Sequence, residues 1–228
     1  MKKIAVVPAY NEEKTVATVV KSLRTYFDEV IVANDGSKDS TAQLATDAGA
    51  KVYTNIINRG LGGAISLGIA AALKEGADVI VTCDADGQHT VEDAVKVIAP
   101  VAAGHADIAI GSRIHDHEGM PLIRRIYNWV GNIVTLILFG VWTTDSQSGL
   151  RALSRRAAES INIRTNGMEV SSEIISEIKR RSLRFVQVPI TAIYTEHSLS
   201  KPKDGPSGQH FFHGVKTFVR LVLYRVSH

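Results

Sequence analysis

Two acidic residues separated by one position, Asp84 and Asp86, give the strongest chemical signal in the sequence. They lie in the run Asp84-Ala85-Asp86-Gly87-Gln88-His89, directly after an apolar segment that is typical of a buried strand. Two carboxylates at the end of a strand can approach one divalent cation, and Mg²⁺ or Mn²⁺ binds a few carboxylates together with substrate phosphate oxygens. Such a pair alone more often belongs to a solvated loop. Its position after a strand favours a metal site, in which the cation would neutralise a diphosphate.

Three other polar loops follow predicted strands and are expected to reach the same place. Tyr10 can pack on a nucleobase. The side chains of Glu12, Asn34 and Asp35 can accept hydrogen bonds from a base or a ribose. Taken singly, each loop is better explained as a turn or a helix cap, whereas their convergence favours a ligand site. The three loops are Val7-Pro8-Ala9-Tyr10-Asn11-Glu12-Glu13, Ala33-Asn34-Asp35-Gly36-Ser37 and Asn58-Arg59-Gly60-Leu61-Gly62-Gly63-Ala64.

The elements that must position these loops alternate along the first half of the chain, where short β-branched runs are separated by helix-length segments. Strands joined by crossover helices pair in parallel, so the pattern predicts an α/β fold with a doubly wound sheet whose ligands bind beyond the carboxyl ends of the strands. The predicted strands cover Lys3 to Val7, Val30 to Ala33, Val52 to Tyr53, Val79 to Cys83 and Asp107 to Ile110. The predicted helices cover Glu12 to Phe27, Ser40 to Ala48, Gly62 to Lys74 and Val91 to Ala103.

Composition places the chain among ordinary globular proteins. Its 228 residues are 45% hydrophobic and 21% charged, which predicts one domain with a core that needs no metal or disulfide staple. Cys83 is the only cysteine, so an intrachain disulfide is excluded and a reducing cytosolic compartment is expected. The apolar run before Pro8 is too short for a signal peptide, so we expect no export signal.

Charge is distributed unequally between the two halves of the chain. Residues 1–112 carry 10 Lys and Arg against 14 Asp and Glu, whereas residues 113–228 carry 16 against 9. The basic second half favours an anionic partner such as phosphate, a lipid headgroup or nucleic acid, and charge alone does not choose among them. Nucleic acid is disfavoured because the basic residues are not interleaved with the aromatic residues of a stacking platform.

Two apolar segments in the second half have helical spacing. The stretch from Ile126 to Thr144 carries no charge, and its polar and glycine residues favour an interfacial or a buried core helix over a transmembrane span. Residues 201–228 begin with a loop of Pro, Gly and Ser and then place Phe and Val on one helical face and basic residues on another. This second pattern predicts an amphipathic helix that either lies on a membrane surface or caps the domain.

Eight short motifs occur in one order along nearly the whole chain: V-P-A-Y-N-E-E at 7–13, N-D-G-S at 34–37, N-R-G-L-G-G-A at 58–64, D-A-D-G-Q-H at 84–89, G-S-R at 111–113, D-S-Q-S-G-L-R-A at 145–152, V-P-I at 188–190 and S-K at 200–201. This series resembles the family 2 glycosyltransferases of the GT-A fold. It is most similar to the branch that contains dolichol-phosphate mannose synthases and bacterial polyprenyl-phosphate sugar transferases. The resemblance is specific for the fold and the donor chemistry and less specific for the sugar.

The resemblance implies an inverting transfer of a sugar from a nucleoside-diphosphate sugar to a polyprenyl phosphate at the cytoplasmic membrane surface. It implies that the protein attaches to this surface peripherally or through a membrane-protein partner. It implies that the donor contacts Pro8, Ala9, Tyr10, Asn11, Glu12, Asn34, Asp35, Gly36, Asn58, Gly60, Asp84 and Ala85. The Mg²⁺ or Mn²⁺ ligands are then expected to be Asp84, Asp86 and Gln88. The acceptor phosphate is expected to bind Arg113, Arg124 or Arg125, and Lys201.

Asp86 and Asp145 are the catalytic candidates. A phosphate acceptor is already anionic near neutral pH, so a general base is dispensable and catalysis consists mainly of positioning and charge neutralisation. Where a base is needed, Asp145 is the candidate, although a loop hydrogen-bond acceptor explains it equally well. Two other functions stay open, namely transfer to a saccharide or protein hydroxyl, and a scaffold that binds a nucleotide sugar without turnover.

Two positions depart from the family pattern. Asn34 stands where the family usually has Asp, which replaces an acceptor-only group by an amide that can also donate and so bears on base preference. The Arg that often precedes the family's Ser-Lys is missing before Ser200-Lys201, which leaves His197 as a weaker candidate contact.

We expect a single domain over residues 1–228. Residues 1–112 are its nucleotide-sugar-binding half, residues 113–200 its acceptor half, and residues 201–228 a mobile loop and an amphipathic helix. Glu169 and Glu173 share one helical face and could approach the acceptor end of the cleft, but we predict that they are solvated surface residues. His89 either reaches the diphosphate or makes a structural hydrogen bond.

Overall fold

Residues 1–113, 129, 132–133, 136–137 and 140–191 are described by the structure, which is a computed structural model. Parts of the predicted helix from Ile126 to Thr144 lie outside the described residues. The C-terminal segment 201–228, His197 and three predicted acceptor residues also lie outside them; those three are Arg124, Arg125 and Lys201. Among the helices that are described, none is long and apolar enough to cross a bilayer.

Strands and helices alternate from β1 to β5, as the sequence predicts for the first half of the chain. The strands are β1 (Lys3–Ala9), β2 (Glu29–Asn34), β3 (Lys51–Thr54), β4 (Val79–Thr82), β5 (Ile108–Ser112), β6 (Arg151–Ser154) and β7 (Phe185–Pro189). The helices are α1 (Val16–Leu23), α2 (Thr41–Asp47), α3 (Leu61–Lys74), α4 (Val91–Ala102), α5 (Arg155–Ser160) and α6 (Val170–Arg180).

The strands form one seven-stranded sheet in the order β3-β2-β1-β4-β6-β5-β7. β6 runs antiparallel to β4 and β5, and the other neighbouring strands are parallel. The predicted α/β fold with a mostly parallel sheet is therefore confirmed. Because β6 is antiparallel, its first residue, Arg151, lies opposite Thr82 at the end of β4. The loop before β6 thus meets the loops after the parallel strands at one edge of the sheet.

The core consists of two apolar layers, one on each face of the sheet. Successive side chains of β1 point to opposite faces, so Ala5 and Val7 join one layer while Ile4 and Val6 join the other. α1, α2 and α4 cover the first face, and α3, α5 and α6 cover the second. Burial on both faces explains why the central strands are continuous apolar runs.

The apolar spacing predicts that helix α1 begins at Glu12. In the structure it begins at Val16. Asn11 has a φ of 54°, a left-handed conformation that no helix accommodates. The Glu12 backbone nitrogen donates to Thr41 Oγ1, at the beginning of α2, and the Glu13 backbone nitrogen donates to Asp39 Oδ2 in the loop after β2. These bonds hold residues 12–13 against the neighbouring segment before α1 begins. The loop after β1 is consequently longer than the periodicity indicates.

An ion pair joins the amino ends of β5 and β7. Asp107 is 3% exposed, and its carboxylate accepts hydrogen bonds from Arg184 Nε and Nη2 at 3.1 Å each and from the Arg184 backbone nitrogen at 2.9 Å. The hydrogen bond from the Arg184 guanidinium holds the pKa of Asp107 below its ordinary value of 3.8, although burial acts in the opposite sense. The pair therefore stabilises the folded state above pH 3.8, and this contribution disappears as the pH falls through the lowered pKa.

We expect Asp107→Asn to unfold at a lower urea concentration than the unaltered protein at pH 7. The difference should shrink as the pH falls below 3.8, because the unaltered protein then loses the same ion pair. Urea titrations from pH 7 to pH 2.5 measure it, with Asp47→Asn on the exposed side of α2 as the matched control. A constant difference across this range would contradict the assignment.

Candidate active site

Asp84 and Asp86 lie just beyond the carboxyl end of β4, where they follow the strand as predicted. The loop before β6 is bound to the end of β4, since Thr82 Oγ1 donates to the Gly149 carbonyl oxygen at 2.8 Å. A Cβ on Gly149 would come within 2.3 Å of both Asp84 carboxylate oxygens. Glycine at position 149 therefore makes the room that this carboxylate occupies.

Gln88 fixes the carboxylate of Asp86. The Gln88 backbone nitrogen donates to Asp86 Oδ1 at 3.1 Å, and the Gln88 Nε2 donates to Asp86 Oδ2 at 2.5 Å. The side-chain bond uses the amide nitrogen, which cannot bind a cation. The amide oxygen, which can bind one, is not part of this bond.

These three side chains suit a hard divalent cation. Over the described ranges, no group of three or more His, Cys, Asp or Glu side chains is placed to hold a metal. The protein thus offers two carboxylates and one amide oxygen, and Mg²⁺ or Mn²⁺ commonly completes such a set with water and substrate phosphates. The residues fit the predicted cation, which Asp84, Asp86 and Gln88 would hold. A cation there supplies positive charge to a leaving diphosphate.

Basic side chains around Asp84 favour its ionised form. Burial raises the pKa of Asp84, but the neighbouring His89 imidazole and the positive charges of Arg151 and Arg113 outweigh burial, so the pKa lies below its ordinary value. His89 Nε2 is 3.6 Å from Asp84 Oδ2, and its Nδ1 is buried without a hydrogen-bond partner in the described part of the chain. Asp84 is therefore an anion at neutral pH, ready to bind a cation.

Arg151 is a buried cation that the sequence analysis does not single out. It opens β6, is 1% exposed, and its Nη2 lies 3.5 Å from the Ser146 carbonyl oxygen. Burial lowers the pKa of Arg151 to about 10, while Asp84 and Asp145 act in the opposite sense. Arg151 stays charged at neutral pH and balances the nearby carboxylates. A charged residue between the apolar Leu150 and Ala152 is the sequence signal that would have indicated it.

Arg113 and Asp145, predicted for the acceptor phosphate and for a general base, bind each other. Arg113 Nε donates to Asp145 Oδ2 at 2.6 Å, and Arg113 Nη2 donates to Asp145 Oδ1 at 2.8 Å. The Arg113 side chain is 17% exposed and that of Asp145 is 4% exposed. Because both oxygens are held in this two-point pair, Asp145 orients the Arg113 guanidinium in this arrangement and is not a free carboxylate.

Hydrogen bonds join the loop after β1 to the loop after β2 and to the first residue of α2. The Asn11 backbone nitrogen donates to Ser37 Oγ at 3.0 Å, and the Glu12 backbone nitrogen donates to Thr41 Oγ1 at 2.8 Å. Asn11 is therefore a left-handed turn residue, and the residue that precedes α1 is Thr15. Tyr10 stays 43% exposed, so its ring is available to a ligand.

Asp35 joins the loops after β2 and β3. Its carboxylate is 2% exposed and accepts hydrogen bonds from Asn55 Nδ2 at 2.8 Å and from the backbone nitrogens of Arg59 and Gly60 at 2.9 and 2.6 Å. Asn58 Oδ1 also accepts from the Gly60 nitrogen at 3.0 Å. A carboxylate offers about four acceptor positions, so the predicted contact of Asp35 with a nucleobase would use the one that remains.

Asn34 is turned into the protein. Its Nδ2 donates to Thr54 Oγ1 at 3.3 Å and its Oδ1 accepts from the Ser37 backbone nitrogen at 3.1 Å. Gly36 completes the turn with a φ of 71°, and a Cβ there would lie 3.1 Å from the backbone nitrogen of Asn58. The Asn34 amide therefore stabilises the turn that carries Asp35.

The order of the central strands brings the acidic pair beside the tyrosine-bearing loop. β1 and β4 are adjacent and parallel, and the Cys83 backbone nitrogen donates to the Val6 carbonyl oxygen at 3.0 Å. Pro8 and Ala9, the last residues of β1, therefore lie beside the strand end that carries residues 84–86. All four predicted loops meet at one edge of the sheet, and the individual ligand contacts remain predictions.

The prediction that Glu169 and Glu173 are solvated surface residues is wrong. Glu169 is 4% exposed and Glu173 is 0% exposed, as is Glu177 one turn further along α6. The Glu173 carboxylate accepts hydrogen bonds from the loop that precedes α6. The loop before α6 buries Glu173, and the spacing of residues along the helix does not indicate such a contact.

We expect Gly149→Ala to weaken metal binding by about tenfold or more. The added Cβ would displace the Asp84 carboxylate, which it approaches within 2.5 Å at every atom of the group. Calorimetric titration with Mn²⁺ measures the affinity. Gly76→Ala is the matched control, because a Cβ there meets nothing within 4 Å and its cost is confined to backbone strain. Equal Mn²⁺ affinities for the two variants would contradict the expectation.

A sheet of this topology, with an acidic pair beyond β4 and the polar loops after β1, β2 and β3 at the same edge, is typical of a nucleotide-sugar-dependent glycosyltransferase. The family model described as "Glycosyl transferase family 2" matches residues 4–162. The chain belongs to this family, and the predicted membership and enzyme class are confirmed.

Two relatives cover nearly the whole chain. It is 35% identical over 97% of its length to a UDP-N-acetylglucosamine–dolichyl-phosphate N-acetylglucosaminyltransferase of Methanococcus voltae, of which 95% is covered. It is 32% identical over 92% of its length to an undecaprenyl-phosphate mannosyltransferase of Micrococcus luteus, of which 90% is covered. These relatives confirm the predicted resemblance to the polyprenyl-phosphate sugar transferase branch.

A solved structure has the same fold. Glucosyl-3-phosphoglycerate synthase of Mycobacterium tuberculosis, in complex with Mn²⁺, UDP-glucose and phosphoglyceric acid, superposes with a TM-score of 0.75 at 21% identity. The match covers 98% of this chain and 79% of that one. It confirms the predicted GT-A fold, and at this identity it carries no more than the fold.

Proposed function

We propose that this glycosyltransferase moves a sugar from a nucleoside-diphosphate sugar to a polyprenyl phosphate on the cytoplasmic face of a membrane, with inversion at the anomeric carbon. The observation that carries the proposal is the pair Asp84 and Asp86 at the edge where β1 to β4 end. Residues 1–112 supply the donor loops at that edge, and residues 113–200 supply the acceptor side. The names of two relatives that cover most of the chain support the lipid acceptor.

The donor half requires a divalent cation. Asp84, Asp86 and Gln88 would hold Mg²⁺ or Mn²⁺, and the cation would supply positive charge to balance the leaving diphosphate. Tyr10 packs on the base, and the loop carrying Asp35 lines the nucleoside. A solved structure of the same fold contains Mn²⁺ and UDP-glucose, so a protein of this fold can hold both.

The acceptor half needs no free base. An oxygen of the acceptor phosphate attacks the anomeric carbon, and the bond from that carbon to the diphosphate breaks on the opposite side. Since this phosphate oxygen is already ionised, no proton has to be removed. The pairing of Asp145 with Arg113 supports this assignment, because the carboxylate that a hydroxyl acceptor would use as a base is held by a guanidinium.

A transfer assay with radiolabelled donors tests the proposal. UDP- and GDP-sugars are incubated with the full chain, Mg²⁺ or Mn²⁺, and undecaprenyl phosphate in detergent, and label is counted in the organic extract. We expect label in the lipid fraction that depends on the metal and disappears with chelator. Unphosphorylated polyprenol and soluble saccharides serve as matched acceptors. Transfer to those acceptors but not to the phosphate would overturn the lipid assignment, and binding of a nucleotide sugar without transfer to any acceptor would favour a scaffold.

A further inference from the structure

Glu173 is a wholly buried acidic residue outside the predicted site. It is 0% exposed, and its carboxylate accepts hydrogen bonds from the Arg164 backbone nitrogen at 2.9 Å, the Thr165 backbone nitrogen at 3.0 Å and Thr165 Oγ1 at 2.6 Å. A buried carboxylate is costly unless donors satisfy it, and here three donors come from one short segment. Glu173 therefore fixes the backbone of residues 164–165 in the loop between α5 and α6.

That segment is packed directly against the beginning of α3. The Asn166 carbonyl oxygen accepts a hydrogen bond from the Gly62 backbone nitrogen at 2.9 Å. A Cβ on Gly62 would lie 2.0 Å from the Thr165 carbonyl oxygen, and a Cβ on Gly60 would lie 2.4 Å from the Asn166 carbonyl oxygen. Only glycine at both positions allows this approach of two backbones. The contact therefore positions residues 58–62, which we call the donor loop.

The donor loop is in turn bound to the nucleoside side of the proposed site. The backbone nitrogens of Arg59 and Gly60 donate to the two carboxylate oxygens of Asp35. A displacement of the loop by a fraction of an ångström would lengthen both bonds and move the Asp35 carboxylate. The path from Glu173 to Asp35 consists of hydrogen bonds and backbone contacts and has no step through solvent.

We infer that Glu173 is a positioning residue for nucleotide binding, which acts through residues 164–166 and the donor loop on Asp35. The inference rests on the proposed function, because it takes the Asp35 loop to line the nucleoside. Glu173 does not touch the ligand. Its removal should therefore weaken binding of the nucleoside part of the donor more than it slows the transfer step.

The matched control lies on the same helix. Glu177 is also 0% exposed, but its carboxylate pairs with Arg180 and Arg181 and not with the loop before α6. Glu173→Gln and Glu177→Gln thus each remove one buried negative charge from α6. A general loss of stability would affect both variants, whereas the inferred coupling affects only the first.

Hydrogen exchange and nucleotide titration together test the inference. We expect faster amide exchange over residues 58–66 in Glu173→Gln and unchanged exchange in Glu177→Gln. UDP and GDP are each titrated with Mg²⁺, and the one that binds the unaltered protein more tightly is used for the comparison. Its Kd should rise about tenfold in Glu173→Gln, which is the effect of losing one hydrogen bond to a charged group. Gly62→Ala should reproduce both changes, because its Cβ breaks the same contact from the other side.

Each outcome decides a different claim. Unchanged exchange over residues 58–66 in Glu173→Gln, or an equal change in Glu177→Gln, would overturn the coupling. Faster exchange with an unchanged Kd would overturn its role in binding. If the unaltered protein binds neither nucleotide, the proposed function fails and the role in binding fails with it, while the exchange data still decide whether Glu173 holds the donor loop.

Discussion

Asp86→Ala is expected to lower metal-dependent sugar transfer by at least about a hundredfold while the protein stays folded. The variant removes one of the two carboxylates that we propose as ligands of the cation, and it frees Gln88, which is held by two hydrogen bonds to Asp86. With the cation lost or displaced, the diphosphate leaves without charge compensation, so the loss should appear in kcat. Initial rates of lipid labelling at saturating donor measure it.

The matched control for this variant is Asp78→Ala, at the opposite end of β4. Asp78 accepts a hydrogen bond from the Lys2 backbone nitrogen at 2.6 Å and lies at the amino end of the sheet. Its removal should cost some stability and leave kcat unchanged. An Asp86→Ala variant that keeps the rate of the unaltered protein, or an equal loss of rate in both variants, would show that the acidic pair does not bind the catalytic metal.

The second large effect concerns the pair of Arg113 and Asp145. Asp145→Asn and Arg113→Ala should each lower kcat/KM by about tenfold or more, and the double variant should lose no more than the worse single variant. The reason is that Asp145 acts only by orienting the Arg113 guanidinium toward the acceptor phosphate. Either change therefore removes the same contact between Arg113 and that phosphate. Each single variant also leaves a largely buried charge without its partner, at a cost of roughly 3 kcal/mol in the free energy of unfolding.

A pH–rate profile separates this role from that of a general base. If Asp145 orients Arg113, the profile of Asp145→Asn keeps the shape it has in the unaltered protein and is merely lowered. If Asp145 is a base, the acidic limb of the profile disappears in Asp145→Asn and persists in Arg113→Ala. Arg113→Lys, which keeps the charge but loses the two-point geometry, should fall between the unaltered protein and Arg113→Ala.

The first half of the fold is predictable from the sequence because its signals are local. β1 and β4 are short apolar runs, and parallel topology alone places their following loops at one edge. The acidic pair, the tyrosine-bearing loop and the glycine-rich loop could therefore be brought together without coordinates. The late start of α1 is an exception, because the backbone nitrogens of Glu12 and Glu13 donate to Thr41 and Asp39, which follow β2 and leave no mark in the apolar spacing.

The remaining features depend on distant partners. β6 has only four residues and begins with a buried arginine, so it looks unlike a central strand until β4 and β5 flank it. The pairing of Asp145 with Arg113 joins residues 32 positions apart, and the two roles predicted for them separately ignore it. The burial of Glu173 likewise becomes evident only when the loop before α6 is in place.

A crystal structure with Mn²⁺ and the nucleoside diphosphate of the preferred donor, measured at a wavelength where manganese scatters anomalously, tests the central claim most directly. The account predicts one anomalous peak within coordination distance of Asp84 and Asp86 and of the diphosphate oxygens, with the base beside Tyr10. An anomalous peak away from both aspartates, or a nucleotide bound elsewhere on the protein, would contradict it.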